Sequence, residues 1–392
     1  MDIPEVLTRG VAQILPNKEG LAKLMAKRKI TLYQGFDPSM PSLHLGNFVG
    51  LMKLRAFQKL GHKVIFLVGD FTGMIGDPTD KSAVRKKLTR EQVLTNAKSW
   101  KEQASRVLNF DGPNPAIIDF NSRWSDKIFF RQLIETTSYF TVQQMIERDM
   151  FQERLKKNEP IYLHEFLYPV AQAIDCVAMD VDLEIGGSDQ IFNMLAGRTL
   201  MKATKNKEKF VLGTKLLVDK EGNKVGKTTG NALFLDSSPN DFYAGVMSFP
   251  DETITLGFEL LTEVPLEVIE KEVSKNPMKA KKRLAFEIVK LLWGEIKAKV
   301  AQEAFENTFQ NRELPDKIKE VKSDSESLPL LDLVFLTKVV ASRSDAKRLI
   351  LQKAIEINGK VCTNPIESIK IPTQGITLRL GKKKFVKVIP SK

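Results

Sequence analysis

The amino-acid sequence predicts an α/β fold in which helices cover both faces of a doubly wound parallel sheet. Short strand-like runs alternate with longer helical segments, which is the pattern of such a fold. The run from Val64 to Val68 is apolar at every position, as expected of a strand buried on both faces. Polar motifs follow the strand-like runs instead of interrupting them. Because ligands of doubly wound sheets bind beyond the carboxyl ends of the strands, these motifs supply the candidate site residues.

The composition is that of a globular protein with an uneven distribution of charge. The 392 residues are 42% hydrophobic and 28% charged, and the chain is long enough for two or three domains with a substantial core. The 60 basic and 48 acidic residues give a net charge of +12. Residues 329–392 hold 13 Lys and Arg against 4 Asp and Glu, a net charge of +9. We therefore expect the C-terminal segment to bind a polyanion.

Cysteine and histidine usage argues against a disulfide framework and against a metal site. Cys176 and Cys362 lie far apart and form no C-x-x-C pattern, and the three histidines are not spaced as a metal-binding pair. The N-terminal residues lack the apolar core of a signal peptide, and no apolar run approaches the length of a membrane span. We expect a cytoplasmic protein with no metal site of its own.

The elements follow one another in a regular order. Residues 1–29 have the pattern of an amphipathic helix ahead of the first strand. The α/β pattern begins with a strand, a turn with two prolines and a helix over 31–60, followed by the buried strand 64–68. A Gly-, Asp- and Lys-rich loop then extends to about 90, and a helix extends to about 108. A short strand at 116–118 and helical stretches to about 158 come next, and a second strand, turn and helix occupy 181–200.

The remainder of the chain is first helical and then mixed. The pattern is mostly helical over 237–311, is that of a polar linker over 312–327, and then combines a helix at 344–352 with strands at 376–380 and 385–389. We predict three domains from these changes: an α/β domain at 1–236 with a helical insertion at about 120–160, a helical domain with a linker at 237–327, and a small basic α+β domain at 328–392.

The stretch TLYQGFDPSMPSLHLGNFVG at 31–50 is the first candidate site segment. In a strand, Tyr33, Gly35 and Asp37 share one face, and an aromatic hydroxyl, a gap and a carboxylate in a row indicate a pocket wall. A helix that begins near His44 places it one turn from Asn47, beside backbone N–H groups that suit a phosphate.

A second candidate lies on a predicted helix, where Tyr168, Gln172 and Asp175 fall on one face at spacings of four and three. Burying these groups without partners would cost about 1 to 3 kcal/mol each, so they face either water or a polar ligand. The GGSDQ turn at 186–190 follows the next strand. Its small residues admit a ligand to the backbone, and Asp189 could accept hydrogen bonds from sugar hydroxyls.

The third candidate is the segment Lys224-Val-Gly-Lys227-Thr228. A phosphate-binding P-loop requires four residues between its glycines, and Gly222 and Gly226 enclose only three. The preceding Asp-Lys-Glu-Gly at 219–222 is typical of a hairpin turn, which also argues against a P-loop. A loop with two lysines and a threonine remains suited to neutralising a triphosphate whose charge is moving.

The order of these motifs resembles the class I aminoacyl-tRNA synthetases, in particular the bacterial tyrosine-specific family. HLGN at 44–47 stands where that family has His-x-Gly-His, and KVGKT at 224–228 stands where it has Lys-Met-Ser-Lys-Ser. Residues 328–392 are similar to the small RNA-binding module named after a ribosomal small-subunit protein. The resemblance thus covers nearly the whole chain and implies a Rossmann-like catalytic domain.

The resemblance also implies roles for individual residues. For tyrosine, Tyr33 and Asp175 would bind the phenol hydroxyl, Asp77, Tyr168 and Gln172 the α-amino group, and Gln190 would lie near the carboxylate. For the adenylate and its ribose, the implied residues are Gly35, Asp37, Gly46, Gly187 and Asp189. For the departing pyrophosphate, they are His44, Lys224, Lys227 and Thr228, with Ser39 where the family often has Thr, and with Lys81 and Arg85 on the loop after the second strand. Asn47 and Gly226 depart from the family motifs, and we interpret them as marks of a subfamily.

The implied activity is the ligation of tyrosine to tRNA(Tyr). L-Tyrosine would attack ATP to give tyrosyl-adenylate and pyrophosphate, and the terminal adenosine of the tRNA would then accept the tyrosyl group. Mg²⁺ would arrive with ATP, with no tightly bound cofactor. A homodimer is implied, with Phe129, Phe130, Leu133 and Ile134 either at the interface or in the core. The alternatives are a tryptophanyl-tRNA synthetase and a non-catalytic RNA-binding protein with the same fold.

Overall fold

The structure is a computed structural model that describes residues 2–77, 88–225, 232–310, 319–340, 342–381 and 384–391. The chain forms two compact units, residues 1–302 and residues 303–392. The three-domain division made from the sequence pattern stays a prediction.

The first unit is organised around one sheet. Its strands, in chain order, are β1 Val11–Leu15, β2 Thr31–Phe36, β3 Lys63–Val68, β4 Ile117–Phe120, β5 Leu183–Gly187 and β6 Phe210–Thr214. Their order across the sheet is β1-β6-β5-β2-β3-β4. The strands β2 to β6 are parallel, and β1 pairs antiparallel with β6. The predicted doubly wound α/β fold is confirmed.

Helices precede, connect and follow these strands. Their bounds are α1 Ile3–Val6, α2 Lys18–Lys27, α3 Leu45–Lys59, α4 Thr72–Ile75, α5 Arg90–Ala97, α6 Trp100–Ser105, α7 Ser122–Ser125, α8 Phe130–Thr137, α9 Val142–Ile146, α10 Asp149–Lys156, α11 Leu163–Met179, α12 Ile191–Lys205, α13 Pro239–Met247, α14 Ile254–Leu261, α15 Leu266–Lys275, α16 Pro277–Trp293 and α17 Glu295–Phe305. The mostly helical pattern predicted for 237–311 is confirmed over the part of it that the structure describes.

The N-terminal prediction was wrong in one respect. Residues 2–29 contain two helices separated by strand β1, not one amphipathic helix. Val11 pairs with Thr214 and Leu15 with Val211, so the main-chain hydrogen bonds of β1 are made with a strand far away in sequence. A local pattern carries no information about such a partner. The predicted helix at 90–108 is likewise interrupted, since α5 ends at Ala97 and α6 begins at Trp100.

The buried strands bring the chain to the site. Every residue of β3 from Val64 to Val68 is at most 4% exposed, and the ring of Phe66 stacks on that of Phe36 in β2 at 4.7 Å. A strand buried on both faces must end in residues that tolerate close packing. At Gly69, directly after β3, a Cβ atom would lie 2.0 Å from the Asp37 carboxylate and 2.4 Å from the Thr72 hydroxyl. The glycine therefore lets these polar groups meet at the carboxyl end of the sheet.

The described part of the second unit contains a five-stranded sheet and a two-stranded sheet, with two helices after residue 329. The elements are β7 Lys319–Ser323, β8 Ser327–Pro329, α18 Leu330–Leu336, α19 Arg343–Leu351, β9 Ile355–Ile357, β10 Lys360–Val361, β11 Ser368–Lys370, β12 Ile376–Leu380 and β13 Lys384–Pro390. The larger sheet has the order β10-β9-β12-β13-β7. The helix and the two strands predicted near the C-terminus are confirmed.

The predicted linker at 312–327 was wrong over its second part. Residues 319–323 form β7, which pairs in parallel with β13 from Lys319 with Val386 to Ser323 with Pro390. The sequence of β7 is polar because it is an edge strand with most of its side chains exposed. Polar composition was therefore misleading. In the part of the chain that the structure describes, no helix is long and apolar enough to cross a membrane.

Candidate active site

A cleft of about 250 Å³ opens at the carboxyl ends of β2 and β5. Every site residue predicted from the sequence that lies in the described part of the chain lines this cleft: Tyr33, Gly35, Asp37, Ser39, His44, Gly46, Asn47, Asp77, Tyr168, Gln172, Asp175, Gly187, Asp189, Gln190 and Lys224. The motifs lie far apart in sequence and meet in space because parallel strands deliver their carboxyl ends to one edge of the sheet. Lys81, Arg85, Lys227 and Thr228, together with Gly226, lie outside the described residues.

Asp37 lies at the junction between strand β2 and the helices beside it. Its Oδ1 accepts a hydrogen bond from the Thr72 hydroxyl at 2.7 Å, and its Oδ2 accepts one from the Tyr168 hydroxyl at 2.8 Å. Tyr168 is 7% exposed, and burial, followed by the charge of Asp37, raises the pKa of its phenol. Tyr168 is thus a neutral donor whose ring forms part of the cleft wall.

Asp175 lies at the deep end of the cleft. It is 3% exposed, and it accepts hydrogen bonds from the Trp124 indole at 2.7 Å and from the Asn121 amide at 3.3 Å. Burial raises the pKa of the Asp175 carboxyl, and the two donated hydrogen bonds oppose that rise. The arrangement holds a carboxylate in a fixed orientation beside the cleft, where it can accept a hydrogen bond from a ligand hydroxyl.

Tyr33 also lines the cleft, but its hydroxyl is engaged with protein groups. It donates to Glu184 Oε1 at 2.5 Å and lies 3.1 Å from the Cys176 thiol. The side chain is fully buried, and burial raises the pKa of the phenol well above its ordinary value. Tyr33 can therefore offer a ligand the lone pairs of its oxygen, while its proton is committed to Glu184. Its role toward a substrate phenol stays a prediction.

The GGSDQ turn is hydrogen-bonded to Asp77. The Gln190 amide donates to Asp77 Oδ2 at 2.7 Å, and Asn193 donates to Gln190 Oε1 at 2.9 Å. Asn193 lies in the first turn of α12 and is fully buried. This chain of amide and carboxylate groups sets the orientation of Gln190 and places Asp77 opposite the strand β5 turn.

His44 and Asn47 cap helix α3. Asn47 donates its backbone N–H to His44 Nδ1 at 3.3 Å, and His44 donates its backbone N–H to Asn47 Oδ1 at 2.9 Å. Such a reciprocal arrangement satisfies two orphan donors at the helix end. Because Nδ1 accepts, the neutral imidazole carries its proton on Nε2. The cap thus turns His44 into an Nε2–H donor at the mouth of the cleft, and Asn47 supports it.

Lys224 lies on the second arm of a hairpin, as the Asp-Lys-Glu-Gly pattern indicated. Val218 and Lys224 form an antiparallel bridge, the Asp219 carboxylate accepts from the backbone N–H groups of Glu221 and Asn223, and Gly222 has a φ of +82°. The Lys224 ammonium donates to Asp189 Oδ2 at 2.7 Å. The exclusion of a P-loop is consistent with this hairpin, since a P-loop leads from a buried strand into a helix.

The HLGN segment pairs through its backbone with residues 233–235. Leu45 donates its N–H to the carbonyl of Leu233 at 2.9 Å, and Leu235 donates its N–H to the carbonyl of Leu43 at 2.8 Å, with an antiparallel bridge between His44 and Phe234. We call this pairing the 43–235 clamp. It fixes the backbone of His44 to residues 233–235, which follow Lys227 in the sequence.

Sequence reasoning missed several residues that shape the cleft. Thr72 and Asn121 line it, and Trp124 orients Asp175. Asn121 follows the carboxyl end of β4 directly, so the strand-end rule could have identified it. Thr72 and Trp124 lie in short helices and carry no comparable signal. Within the described ranges, no group of three or more His, Cys, Asp or Glu side chains is arranged to hold a metal ion.

Comparison with known families assigns the chain to a class of enzymes. Residues 25–310 match the model of the class I tRNA synthetases for tryptophan and tyrosine, and residues 328–368 match the S4 domain. The first match covers the cleft and all of its predicted residues. The chain therefore belongs to the class I tRNA synthetases.

Its relatives place it more narrowly within this class. The chain is 41% identical over 386 residues to a tyrosine–tRNA ligase of Aquifex aeolicus, which covers 98% of this chain and 97% of the relative. It is 40% identical over 394 residues to that of Thermotoga maritima, with coverages of 98% and 96%, and 40% identical over 390 residues to tyrosine–tRNA ligase 2 of Vibrio cholerae, with coverages of 97% and 97%. Among the class I enzymes, the chain belongs with the tyrosine–tRNA ligases. The tryptophan-specific and non-catalytic alternatives find no support in these relatives.

Solved structures agree on the fold. The mitochondrial tyrosyl-tRNA synthetase of Coccidioides posadasii, truncated at its C-terminus, superposes with a TM-score of 0.64 at 24% identity, covering 77% of this chain and 90% of that one. The Archaeoglobus fulgidus enzyme in complex with L-tyrosine superposes with a TM-score of 0.59 at 18% identity, covering 77% and 100%.

Proposed function

We propose that this protein activates L-tyrosine with ATP and transfers the tyrosyl group to the 3′ end of tRNA(Tyr). The observation that carries the proposal is the meeting of the three sequence motifs in one cleft, at the carboxyl ends of parallel strands. The reaction needs an amino-acid subsite, a nucleotide subsite and a path for the pyrophosphate to leave. The cleft offers distinct groups for each.

The amino-acid subsite is the buried part of the cleft. Asp175 accepts the one hydrogen bond that the substrate phenol can donate, and Tyr33 contacts the phenol from the same part of the cleft. Gln172, Tyr168 and Asp77 surround the α-ammonium group, and Gln190, held by Asn193 at 2.9 Å, lies toward the carboxylate. A substrate without the phenol hydroxyl would leave the buried Asp175 carboxylate without this hydrogen bond, which is why such sites reject phenylalanine; the handling of this pair of amino acids is the standard illustration of that effect.

The nucleotide subsite is the open part of the cleft. Gly35, Gly46 and Gly187 leave room for the adenine and ribose, and Asp37 and Asp189 accept hydrogen bonds from hydroxyl groups. At Gly46 a Cβ atom would lie 2.9 Å from the His44 ring, so a larger residue would displace the imidazole. The N-terminus of α3 adds backbone N–H groups and the positive end of the helix dipole, both of which favour phosphate.

The chemistry requires positioning and charge stabilisation, not a protein base. The carboxylate of tyrosine is already a nucleophile and attacks the α-phosphorus in line with the departing pyrophosphate. His44 donates from Nε2 to the phosphate oxygens on which charge develops, and Lys224 contributes a positive charge. Ser39 supports the same region from the turn after β2. We also assign Lys81, Arg85, Lys227 and Thr228 to the pyrophosphate, on the basis of the family resemblance.

The two departures from the family motifs are compatible with activity. Asn47 supplies the oxygen that accepts the His44 N–H, so the reciprocal cap of α3 is complete without a second histidine. Its amide also retains a donor for a phosphate oxygen. Mg²⁺ would be bound by the phosphates of ATP, since this ion typically keeps several waters and needs few protein ligands.

We further propose that the protein is a cytoplasmic homodimer that contacts tRNA through its second unit. On and beside α8, the exposed fractions are 76% for Phe129, 77% for Phe130 and 54% for Ile134. These side chains are not core residues of this chain, and together with Leu133 they form an apolar face suited to a second copy. The second unit contains the S4 match at 328–368 and the segment 329–392, whose net charge of +9 suits the phosphate backbone of RNA.

The activity is tested by tyrosine-dependent exchange between ATP and labelled pyrophosphate, without tRNA, in parallel with phenylalanine and tryptophan. We expect exchange with tyrosine alone. Exchange with tryptophan would assign the protein to the sister enzymes, and no exchange with any of the three would favour the non-catalytic alternative.

The role of the second unit is tested by removing residues 303–392, which form a compact unit. We expect exchange to be retained and tRNA charging to be lost or to require much higher tRNA concentrations. The shortened protein also reports on the dimer, since sedimentation should still give two copies. Undiminished charging by the shortened protein would contradict the proposed role in tRNA binding.

A further inference from the structure

A buried polar cluster lies behind the cleft, on the side away from solvent. Glu184, on β5, is 1% exposed, and Lys209, just before β6, is fully buried. Their side chains form an ion pair, and Lys209 also donates to the carbonyl of Met194 at 2.8 Å. Neither residue lines the cleft. Burying two charges is unfavourable unless further hydrogen bonds compensate, so the other partners of this ion pair matter.

Both oxygens of Glu184 are used by groups that lead to the cleft. Oε1 accepts from the Tyr33 hydroxyl at 2.5 Å and from the Gln172 amide nitrogen at 2.7 Å, and Oε2 accepts from the Cys176 thiol at 3.3 Å. Tyr33 and Gln172 both line the cleft. A single carboxylate therefore contacts two side chains of the proposed amino-acid subsite.

Helix α12 closes the cluster without leaving space around it. At Gly197, a Cβ atom would lie 2.5 Å from the Cys176 sulfur, 2.9 Å from the Lys209 nitrogen and 3.4 Å from Glu184 Oε2. The helix backbone thus packs directly against the ion pair. The carboxylate cannot rotate to other partners without moving this helix.

The charge state of Glu184 determines the direction of the hydrogen bonds. A carboxylate paired with a lysine ammonium accepts hydrogen bonds and donates none. Tyr33 must therefore point its hydroxyl proton at Glu184, and its oxygen faces other partners as an acceptor. Gln172 must turn its amide nitrogen to Glu184, which leaves its carbonyl oxygen as the acceptor for a ligand in the cleft.

We propose that Glu184, held by Lys209, is a positioning residue that makes the substrate-facing group of Gln172 a hydrogen-bond acceptor. The inference rests on the proposed function, because the ligand concerned is the tyrosine bound in the cleft. The α-ammonium of tyrosine donates hydrogen bonds, and the Gln172 carbonyl is the acceptor that the cluster presents to it. The single phenol proton goes to Asp175, so Tyr33 takes no part in this match. A neutral amide at 184 could donate as well as accept, so both orientations would become available and the match would be lost.

The experiment compares three proteins in the exchange assay: the wild type, Glu184→Gln and the double variant Glu184→Gln/Lys209→Met. The double variant removes both charges and keeps similar volumes, so no buried charge is left without a partner. We expect the KM for tyrosine to rise about 10- to 100-fold in both variants, while the KM for ATP is unchanged. The preference for tyrosine over phenylalanine should be unchanged, because both amino acids carry the same α-ammonium.

A double-mutant cycle with Gln172→Ala separates positioning from a general loss of structure. If Glu184 acts through the Gln172 amide, Glu184→Gln should raise the KM for tyrosine by a smaller factor in the Gln172→Ala protein than in the wild type. Equal factors in the two backgrounds would overturn this part of the inference. Should the double variant not fold, Glu184→Gln alone carries both comparisons.

Asp182→Asn is the matched control. Asp182 lies two residues before Glu184, is 2% exposed and is ion-paired with Arg28 at 2.7 Å and with Lys207 at 3.1 Å. We expect this variant to have a lower melting temperature and an unchanged KM for tyrosine. If the wild type shows no tyrosine-dependent exchange, the proposed function fails. If the wild type is active and the Glu184 variants keep its KM for tyrosine, the positioning role alone is overturned.

Discussion

The two ends of the cleft hold their polar groups in different ways. At the amino-acid end, Tyr33 is fully buried and Asp175 is 3% exposed, and each is bonded to protein groups that set its direction. At the nucleotide end, the Lys224 side chain is 42% exposed and its partner Asp189 is 23% exposed. Selection between similar amino acids requires buried, directional hydrogen bonds, whose loss costs more than that of exposed ones. Neutralising a triphosphate requires positive charge, which is held at the surface with little desolvation penalty.

The largest effect should come from the donor at the nucleotide end. We expect His44→Ala to lower kcat of pyrophosphate exchange by about 10²- to 10³-fold, because the Nε2–H that stabilises the departing phosphate is lost. The KM for tyrosine should stay near the wild-type value.

His44→Asn is the matched control for the helix cap. Asparagine caps helices well, whereas alanine in this position should reduce stability by about 1 kcal/mol. Both variants should lose activity to the same extent, and only His44→Ala should melt at a lower temperature. Recovery of activity in His44→Asn would assign the loss to the cap and not to the Nε2 donor.

At the amino-acid end, Asp175→Asn should lower the preference for tyrosine over phenylalanine. The hydrogen bond from the phenol to a charged acceptor is replaced by a weaker one, and we expect the ratio of the two kcat/KM values to fall about 100-fold. Asp70→Asn is the control, since Asp70 is 1% exposed and accepts from the Ser122 N–H at 2.9 Å outside the cleft. An unchanged ratio in Asp175→Asn would separate Asp175 from the phenol.

The same carboxyl predicts a pH dependence. Burial raises the pKa of Asp175, so its protonation on acidification begins at a higher pH than that of an exposed aspartate. The KM for tyrosine should therefore increase as the pH falls, and this dependence should be absent in Asp175→Asn.

Ionic strength should affect the nucleotide end of the cleft more than the amino-acid end, by a smaller factor than the substitutions of His44 and Asp175. Exposed charges are screened within about 3 Å in 1 M salt and within about 10 Å in 0.1 M salt. Over this range we expect the KM for ATP to rise several-fold and the KM for tyrosine to change little. Lys224→Ala should reduce the salt dependence, whereas Lys220→Ala, on the same hairpin with a side chain 72% exposed, should leave it unchanged. Equal salt dependence of the two KM values would contradict the proposed difference between the two ends of the cleft.

Substitution of His62 should have the smallest effect on the cleft, because His62 lies just before β3, at the opposite edge of the sheet. His62 is 1% exposed and accepts a hydrogen bond from the Ile30 N–H at 3.2 Å, and burial lowers its pKa from 6.5 to about 4. The unfolded chain thus binds a proton at His62 before the folded chain does. The stabilisation is present above pH 6.5 and is lost as the pH falls to about 4, about 3 kcal/mol in total.

Denaturant unfolding between pH 7.5 and 4 measures this loss. His62→Gln should have a flatter pH dependence of the free energy of unfolding, together with unchanged exchange activity at pH 7.5. A parallel pH dependence in the two proteins would assign the acid sensitivity to other groups.

Much of the α/β fold was predictable because its signals are local. The run Val64 to Val68 and the glycines at the end of β5 identify buried strands and their ends without knowledge of their partners. The strands β1 and β7 were missed because each is defined by a distant partner, β6 and β13 respectively. The motif residues of the cleft were predictable from spacing and resemblance. Glu184 and Lys209 were not, since single polar residues in or next to apolar strands give no sign that they pair across the sheet.

The 43–235 clamp has a consequence for protein engineering. It joins two motifs that a sequence alignment would treat as separate sites, so their positions are not independent targets for mutagenesis. A library that randomises the lysine segment should end before Leu233, because a change there would shift the backbone of Leu45 and with it the cap on His44. Grafting the lysine segment from a relative should likewise carry residues 233–235 together with 43–45 as one exchangeable cassette.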